Sequence, residues 1–354
     1  MKIKLAILES DKSYLSHIVA SFNRLYSEKL EIYSFSNVVS ALQTLEESKI
    51  DVFLASDKFE IEFEKIPSKC GFAYLVDSKG IEAINEQKVI CKFQKAELIY
   101  KQILSLFAEK TTGLTASLRA DNEGRKVVAF VAASGGTGST VAAAAFAVNM
   151  ARRGKKVIYL NMEMLGDPDA FFHGDGTGNF GDILYAIKSK KSNLALKLES
   201  TAKRDETGVF YFSPTGLALD MMELHPEEMS QIIKELRAVC KYDYIVIDID
   251  FRFDKQILQL LKECTNIVAV SDGSVTSNSK LKRMLDAMKI IDESSDVKLL
   301  YRLGILYNRF SSKTSKVLEY ADINVLGGIK RFEGYTMEQL IRQISELAVF
   351  DTLA

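Results

Sequence analysis

Residues 127–154 read VVAFVAASGGTGSTVAAAAFAVNMARRG, and this stretch decides the fold. Its opening, Val127–Ala132, is wholly apolar, as expected of a strand buried on both faces. Ser134, Gly135, Gly136, Thr137, Gly138, Ser139 and Thr140 follow, and then an alanine-rich helical run. Glycines let the backbone curl so that successive N–H groups point into one concavity, and the helix start adds the positive end of its dipole. Together these bind phosphate oxygens. A plain glycine turn between strand and helix is the weaker alternative, because the strand, three glycines, two hydroxyls and helix all come in order. Thr140 stands where a hydroxyl ligates Mg²⁺. The small residues Ala142–Ala145 let the helix pack close to a sheet. The GxGxxG spacing of a dinucleotide site is absent here. So is the lysine that normally precedes the Ser/Thr: its place is taken by Ser139.

Other strand ends supply what a nucleotide site needs. Tyr242–Asp250 reads YDYIVIDID, an apolar strand ending in Asp248, where a phosphate-loop protein holds Mg²⁺. Asp250 extends this acidic end. Val157–Glu163 (VIYLNME) places Asn161 and Glu163 at the C-terminal end of the next strand, the side on which doubly wound sheets bind ligands. Glu163 is the candidate catalytic residue, for water activation, with a merely polar strand end as an equal alternative. Leu303–Arg309 (LGILYNR) ends in Asn308, whose amide can donate to and accept from a base edge, followed by Arg309. The loop Ser271–Ser279 is a further strand-end candidate.

The rest of the chain repeats this alternation. Strands are expected over Lys4–Leu8, Leu30–Ser34, Val52–Ala55, Ala73–Val76 and Val89–Cys91, with helical patterns over Tyr14–Tyr26, Val38–Glu47 and Ala96–Phe107. Further strands are expected over Val157–Leu160, Val209–Phe212, Tyr244–Ile247, Ile267–Val270 and Leu303–Tyr307. Two doubly wound α/β domains follow, over 1–110 and 126–354. The polar stretch 111–125 reads as their linker. Residues 173–208 look least regular. The acidic and basic C-terminal stretch from Tyr335 is amphipathic and reads as packed against the second domain rather than on a membrane.

Bulk properties exclude several classes. The chain has 46 Lys and Arg against 47 Asp and Glu, and the balance holds in both blocks, with 15 against 16 over residues 1–110. That is not the charge of a non-specific nucleic-acid binder. No signal peptide or membrane-span pattern is present. The four scattered cysteines read as small buried hydrophobes in a reducing cytoplasm, and the three distant histidines as surface or cap residues.

The order SGGTGST, VIYLNME, YDYIVIDID, GILYNR resembles the MinD/ParA class of deviant phosphate-loop ATPases. The resemblance implies ATP and Mg²⁺ as cofactors, with Ser134, Gly135, Gly136, Thr137, Gly138, Ser139, Thr140, Asn308 and Arg309 binding nucleotide and Thr140 and Asp248 binding metal. It also implies a homodimer formed through this domain. The class signature lysine falls on Ser134, the phosphate-loop lysine on Ser139, and the class D-x-D on Asn161 and Glu163. Loss of a charge that stabilises the transition state costs about 10³ or more in rate by the arginine-finger comparison. The expectation is therefore binding with weak or absent hydrolysis.

The N-terminal block resembles a response-regulator receiver of the flavodoxin/CheY-like kind. Glu9 and Asp11 sit where paired acids would hold Mg²⁺, and Lys92 stands at the receiver's lysine. Ser56 takes the place of the phosphorylated aspartate, and Asp57 comes one residue late, which points it differently. An atypical receiver before a degenerate MinD/ParA domain is similar to the CpaE/TadZ family. The resemblance implies a cytoplasmic protein that localises and supports assembly of a Flp/Tad-type pilus secretion system. Its partners would be pilus-machine proteins, which would hold it at the cell pole or inner membrane, with no nucleic acid and no direct membrane insertion. Alternatives are an active positioning or partition ATPase, and a regulator gated by phosphorylation of Asp57.

Overall fold

The computed structural model describes residues 2–78, 80, 81, 83–110, 125–189, 193–238, 240, 242–294, 298–320 and 323–353. In the N-terminal block, β1 (Ile3–Leu8), β2 (Leu30–Phe35), β3 (Val52–Ser56), β4 (Gly71–Val76), β5 (Ala83–Ile84) and β6 (Gln87–Cys91) form one sheet in the order β2-β1-β3-β4-β6-β5. The pairings are parallel except for β5 on β6. β1, β3 and β4 are apolar at nearly every position because side chains pack on both of their faces. On one face α1 (Lys12–Tyr26) and α3 (Ala96–Lys110) bury Ile18, Phe22, Ile99, Ile103 and Leu104 against Leu5, Ile7 and Leu54. On the other, α2 (Val38–Glu47) buries Ala41 and Leu45 against Ala6, Leu8 and Phe53.

The second sheet contains β7 (Lys126–Val131), β8 (Val157–Asn161), β9 (Lys203–Arg204), β10 (Phe210–Tyr211), β11 (Tyr244–Asp248), β12 (Asn266–Ser271), β13 (Leu303–Phe310) and β14 (Asn324–Lys330). Their order is β14-β13-β12-β7-β11-β8-β10-β9, parallel throughout except for β9 on β10. The expected strands are therefore present. The two-residue edge strands β5 and β9 make both sheets mixed, a feature too short to show a period in the sequence.

The helices of this part of the chain are α4 (Ser139–Arg152), α5 (Phe180–Ser189), α6 (Leu194–Thr201), α7 (Pro226–Ala238), α8 (Lys255–Glu263), α9 (Val275–Glu293) and α10 (Met337–Ser345). The stretch 173–208 is thus more regular than its composition suggests. Contacts divide the chain into two compact units, and Tyr185–Thr201 groups with the N-terminal one. The expected linker lies outside the described residues, apart from Arg125.

β7 sits in the middle of its sheet, and α4 lies against it. Ala142–Ala145 are fully buried, and the ring of Phe146 packs against Phe130 of β7 and Tyr244 of β11. α10 starts at a capping box of Thr336 and Gln339 and packs its Ile341 and Ile344 into the same core as Phe146 of α4. Phe350 closes that core with its ring centroid 5.6 Å from that of Phe146.

Candidate functional site

β7 continues into the glycine loop at the C-terminal edge of the sheet. Its neighbours in space are β11 and β12, although the next strand in the chain is β8, so the loop opens at a topological switch point. Gly136 and Gly138 have φ of +78° and +80°, conformations that residues with a Cβ rarely adopt. Gly138 is also the residue immediately before α4, so the loop ends on a helix N-terminus. A Cβ at Gly138 would stand 2.4 Å from Asn308 Nδ2.

The site residues read from the sequence gather here. Register pairs Asp248 of β11 with Phe130 of β7 on one side and Asn161 of β8 on the other. The Thr140 hydroxyl donates to Glu163 Oε1 at 3.4 Å, and Asn161 Oδ1 accepts from the Glu163 N–H at 3.1 Å. Asp248 is fully buried. Its Oδ2 accepts a 2.6 Å hydrogen bond from the Tyr159 hydroxyl. Burial pushes the Asp248 carboxyl up to about 7, with the Glu163 charge adding to the rise. Glu163 is raised too, first by burial and then by Asp250.

Several polar atoms around the loop are buried without a hydrogen-bond partner: Thr137 Oγ1, Ser139 Oγ and Asp248 Oδ1. Buried polar groups are normally satisfied, so this set fits a site that takes an anion and a cation. Among the described residues no cluster of three or more His, Cys, Asp or Glu forms a metal cage. A hard cation taking one carboxylate and one hydroxyl from protein, with the rest from phosphate and water, suits this donor set.

Two residues from β13 contact the backbone of the loop. Asn308 is buried, and its Nδ2 donates to Thr137 O at 2.9 Å and Gly138 O at 3.2 Å. Its amide nitrogen thus braces the loop through two adjacent carbonyls. Arg309 Nη1 donates to Gly136 O at 2.7 Å, which places its guanidinium on the loop. Tyr159 carries no signal of this role in the sequence, where a tyrosine in an apolar strand looks like core.

The receiver-like pocket is built another way. Lys92 Nζ lies 2.7 Å from Glu9 Oε2, 3.0 Å from Asp77 Oδ1 and 3.4 Å from Ser56 Oγ. The Lys92 side chain is 2% exposed and that of Glu9 0%. Asp11 is tied to Glu9 through its backbone and caps the helix that follows. Its Oδ1 caps α1 by accepting from the N–H groups of Ser13 and Tyr14, while its own N–H donates to Glu9 Oε1. Asp57 is exposed one residue beyond β3. Asp77, at the end of β4, completes the pocket, and its only sequence signal was an acid directly after an apolar strand.

Cys70, Cys91, Cys240 and Cys264 are free thiols, three of them buried. His173 pairs with Glu338 at 2.9 Å on the surface. No helix among the described residues is long and apolar enough to cross a membrane.

Comparison with known proteins follows the same division. Residues 1–108 match the family described as TadZ-like, receiver domain. A ParA family ATPase from Chlorobium tepidum superimposes with a TM-score of 0.51 at 21% identity, over 64% of this chain and 91% of that one. The Pyrococcus furiosus cell division ATPase MinD superimposes at 0.48 and 16% identity, over 65% of this chain and 100% of that one. The C-terminal unit thus has the fold of the ParA protein. No curated protein matches the chain in sequence.

Proposed function

We propose, from a chain whose TadZ-like receiver precedes a ParA-like fold in the CpaE/TadZ arrangement, that this protein is an ATP-binding localisation factor. It dimerises through the second domain and supports assembly of a Flp/Tad-type pilus, held at its place in the cytoplasm by pilus-machine proteins. The observation that carries this reading is the phosphate loop itself. It keeps the glycine geometry and the unpartnered buried polar atoms of an anion site, yet has serine at both lysine positions, Ser134 and Ser139.

In this reading the N–H groups of residues 134–140 hold the phosphates. Thr140 and Asp248 hold Mg²⁺, which when bound neutralises phosphate charge. Asn308 keeps the loop in shape by occupying its outward carbonyls. Tyr159 orients Asp248 so that one carboxylate oxygen faces the loop. Glu163 accepts from Thr140 and stands where it can take up a proton from water. Without a lysine to offset developing charge, turnover is slow.

Calorimetric titration with ATP in Mg²⁺, paired with light-scattering mass measurement, tests the proposal. Saturable ATP binding, a dimer in ATP and little phosphate release are expected. Absence of ATP binding, or turnover as fast as a lysine-bearing relative run alongside, defeats it.

A further inference from the structure

The phosphate loop has no lysine, yet a guanidinium lies on it. β13 and β14 pair Tyr307 with Gly328 and Phe310 with Lys330, so three steps along one strand face two along the other. The bulge takes in Asn308 and Arg309. Bulges re-aim side chains and recur beside functional sites. Arg309 has φ of +56°, in the left-handed region that disfavours any residue with a Cβ. Such conformations persist where the surroundings over-determine them, and they cluster at ligand clamps.

The consequence is local and specific. Consecutive residues of a regular strand point to opposite faces. Here both reach the same loop. Asn308 is buried under Thr137 and Gly138, while the exposed Arg309 lies over Gly136. Arg309 Nε is 3.5 Å from the place a Cβ on Gly138 would take. One Nη1 hydrogen is spent on Gly136 O, and a guanidinium has five N–H donors in a planar fork suited to phosphate.

We infer that Arg309 supplies the positive charge that Ser134 and Ser139 do not, and thereby makes the site select di- and triphosphates over monophosphates. This rests on the reading of the loop as a nucleotide site. Arg309 reaches the loop from β13, a different strand from the one that carries the lysines of the ordinary motif. The charge therefore comes from outside the loop sequence.

The test is calorimetric titration of full-length wild type, Arg309→Gln, Arg309→Lys and Arg309→Gly with ATP, ADP, AMP and adenosine in Mg²⁺, with thermal midpoints measured without ligand. A hydrogen bond from a charged donor corresponds to roughly a ten- to hundredfold change in affinity. Arg309→Gln should lose about that much for ATP and ADP and less than about twofold for adenosine. Arg309→Lys should recover part of the loss, since the charge returns without the fork. Arg309→Gly should weaken ATP as Arg309→Gln does, while raising the ligand-free midpoint through relief of the positive φ.

Equal losses for ATP and adenosine would reduce Arg309 to a structural brace and overturn the inference. Unchanged ATP affinity in Arg309→Gln would overturn it too, leaving nucleotide binding intact. A wild type that binds neither ATP nor ADP removes the nucleotide reading itself, and this inference with it.

Discussion

The two acidic pockets of this chain start from similar parts and end in opposite states. Each lies at the C-terminal ends of parallel strands in a mixed sheet, with a fully buried carboxylate, Glu9 in one and Asp248 in the other. Glu9 is answered from within the protein: Lys92 meets it at 2.7 Å and also holds Asp77 and Ser56. Asp248 has a neutral tyrosine hydroxyl on one oxygen and no hydrogen-bond partner on the other, with Glu163 and Asp250 adding like charge. In the first pocket the counter-charge is part of the protein. The second has no built-in cation on its buried carboxylate, the state that the proposed nucleotide and Mg²⁺ would complete. Burial of an acid is therefore not a functional signal by itself. What distinguishes the pockets is whether the counter-charge is built in.

The largest effect that would test this contrast comes from the closed pocket. Removing one member of a buried ion pair leaves its partner charged and unsolvated, at a cost of about 3–5 kcal/mol. Lys92→Ala is expected to destabilise the protein by about that amount in urea unfolding. The double change Glu9→Gln with Lys92→Met should cost far less. A Lys92→Ala loss below about 1 kcal/mol would mean that water already shields the pair.

The open pocket should respond with the opposite sign. Asp248→Asn keeps the volume and an acceptor for Tyr159 but removes a buried charge that has no counter-ion. Without ligand the variant should be more stable than wild type by about 1–3 kcal/mol. It should also lose the Mg²⁺-dependent rise in thermal midpoint that ATP gives the wild type. A variant less stable than wild type would show that Asp248 already has its counter-charge, and the contrast between the pockets would fail.

Much of this arrangement was readable from residues alone, for physical reasons that also mark where reading stops. VVAFVA and YIVID are continuous apolar runs, which only a strand covered on both faces tolerates, so β7 and β11 were plain. The glycines between β7 and α4 declared the loop. β14 was missed because NVLGGIK lies at an edge, carries two glycines and leaves most positions exposed or half-exposed, so no period survives. The roles of Asn308 and Asp77 depend on contacts across 171 positions in one case and on a lysine one strand away in the other. Local sequence holds neither. The lysine-poor loop is visible in the sequence, and the resemblance brings Arg309 to it, but the bulge and positive φ that lay its guanidinium over Gly136 are not.

The smallest expected effect sharpens the closed pocket at its rim. The hydrogen bond from Lys92 holds the Asp77 carboxyl below its usual value of 3.8, with the ammonium charges of Lys92 and Lys58 assisting. A carboxyl whose folded pKa is depressed adds stability above its unfolded pKa and loses that stability as pH falls through the folded value. Wild type should therefore shed a little stability between about pH 4 and the lower folded pKa, because protonation of Asp77 releases one partner of Lys92. Asp77→Asn has no carboxyl to titrate, so it should start lower at pH 6 and lose less on acidification. The side chain is half exposed, so solvent screens the pair and the gap at pH 6 should stay under about 1 kcal/mol. Thermal midpoints of both proteins from pH 6 to pH 2.5 measure it. Parallel curves would place the working counter-charge of Lys92 on Glu9 alone, leaving the pocket closed by one buried pair.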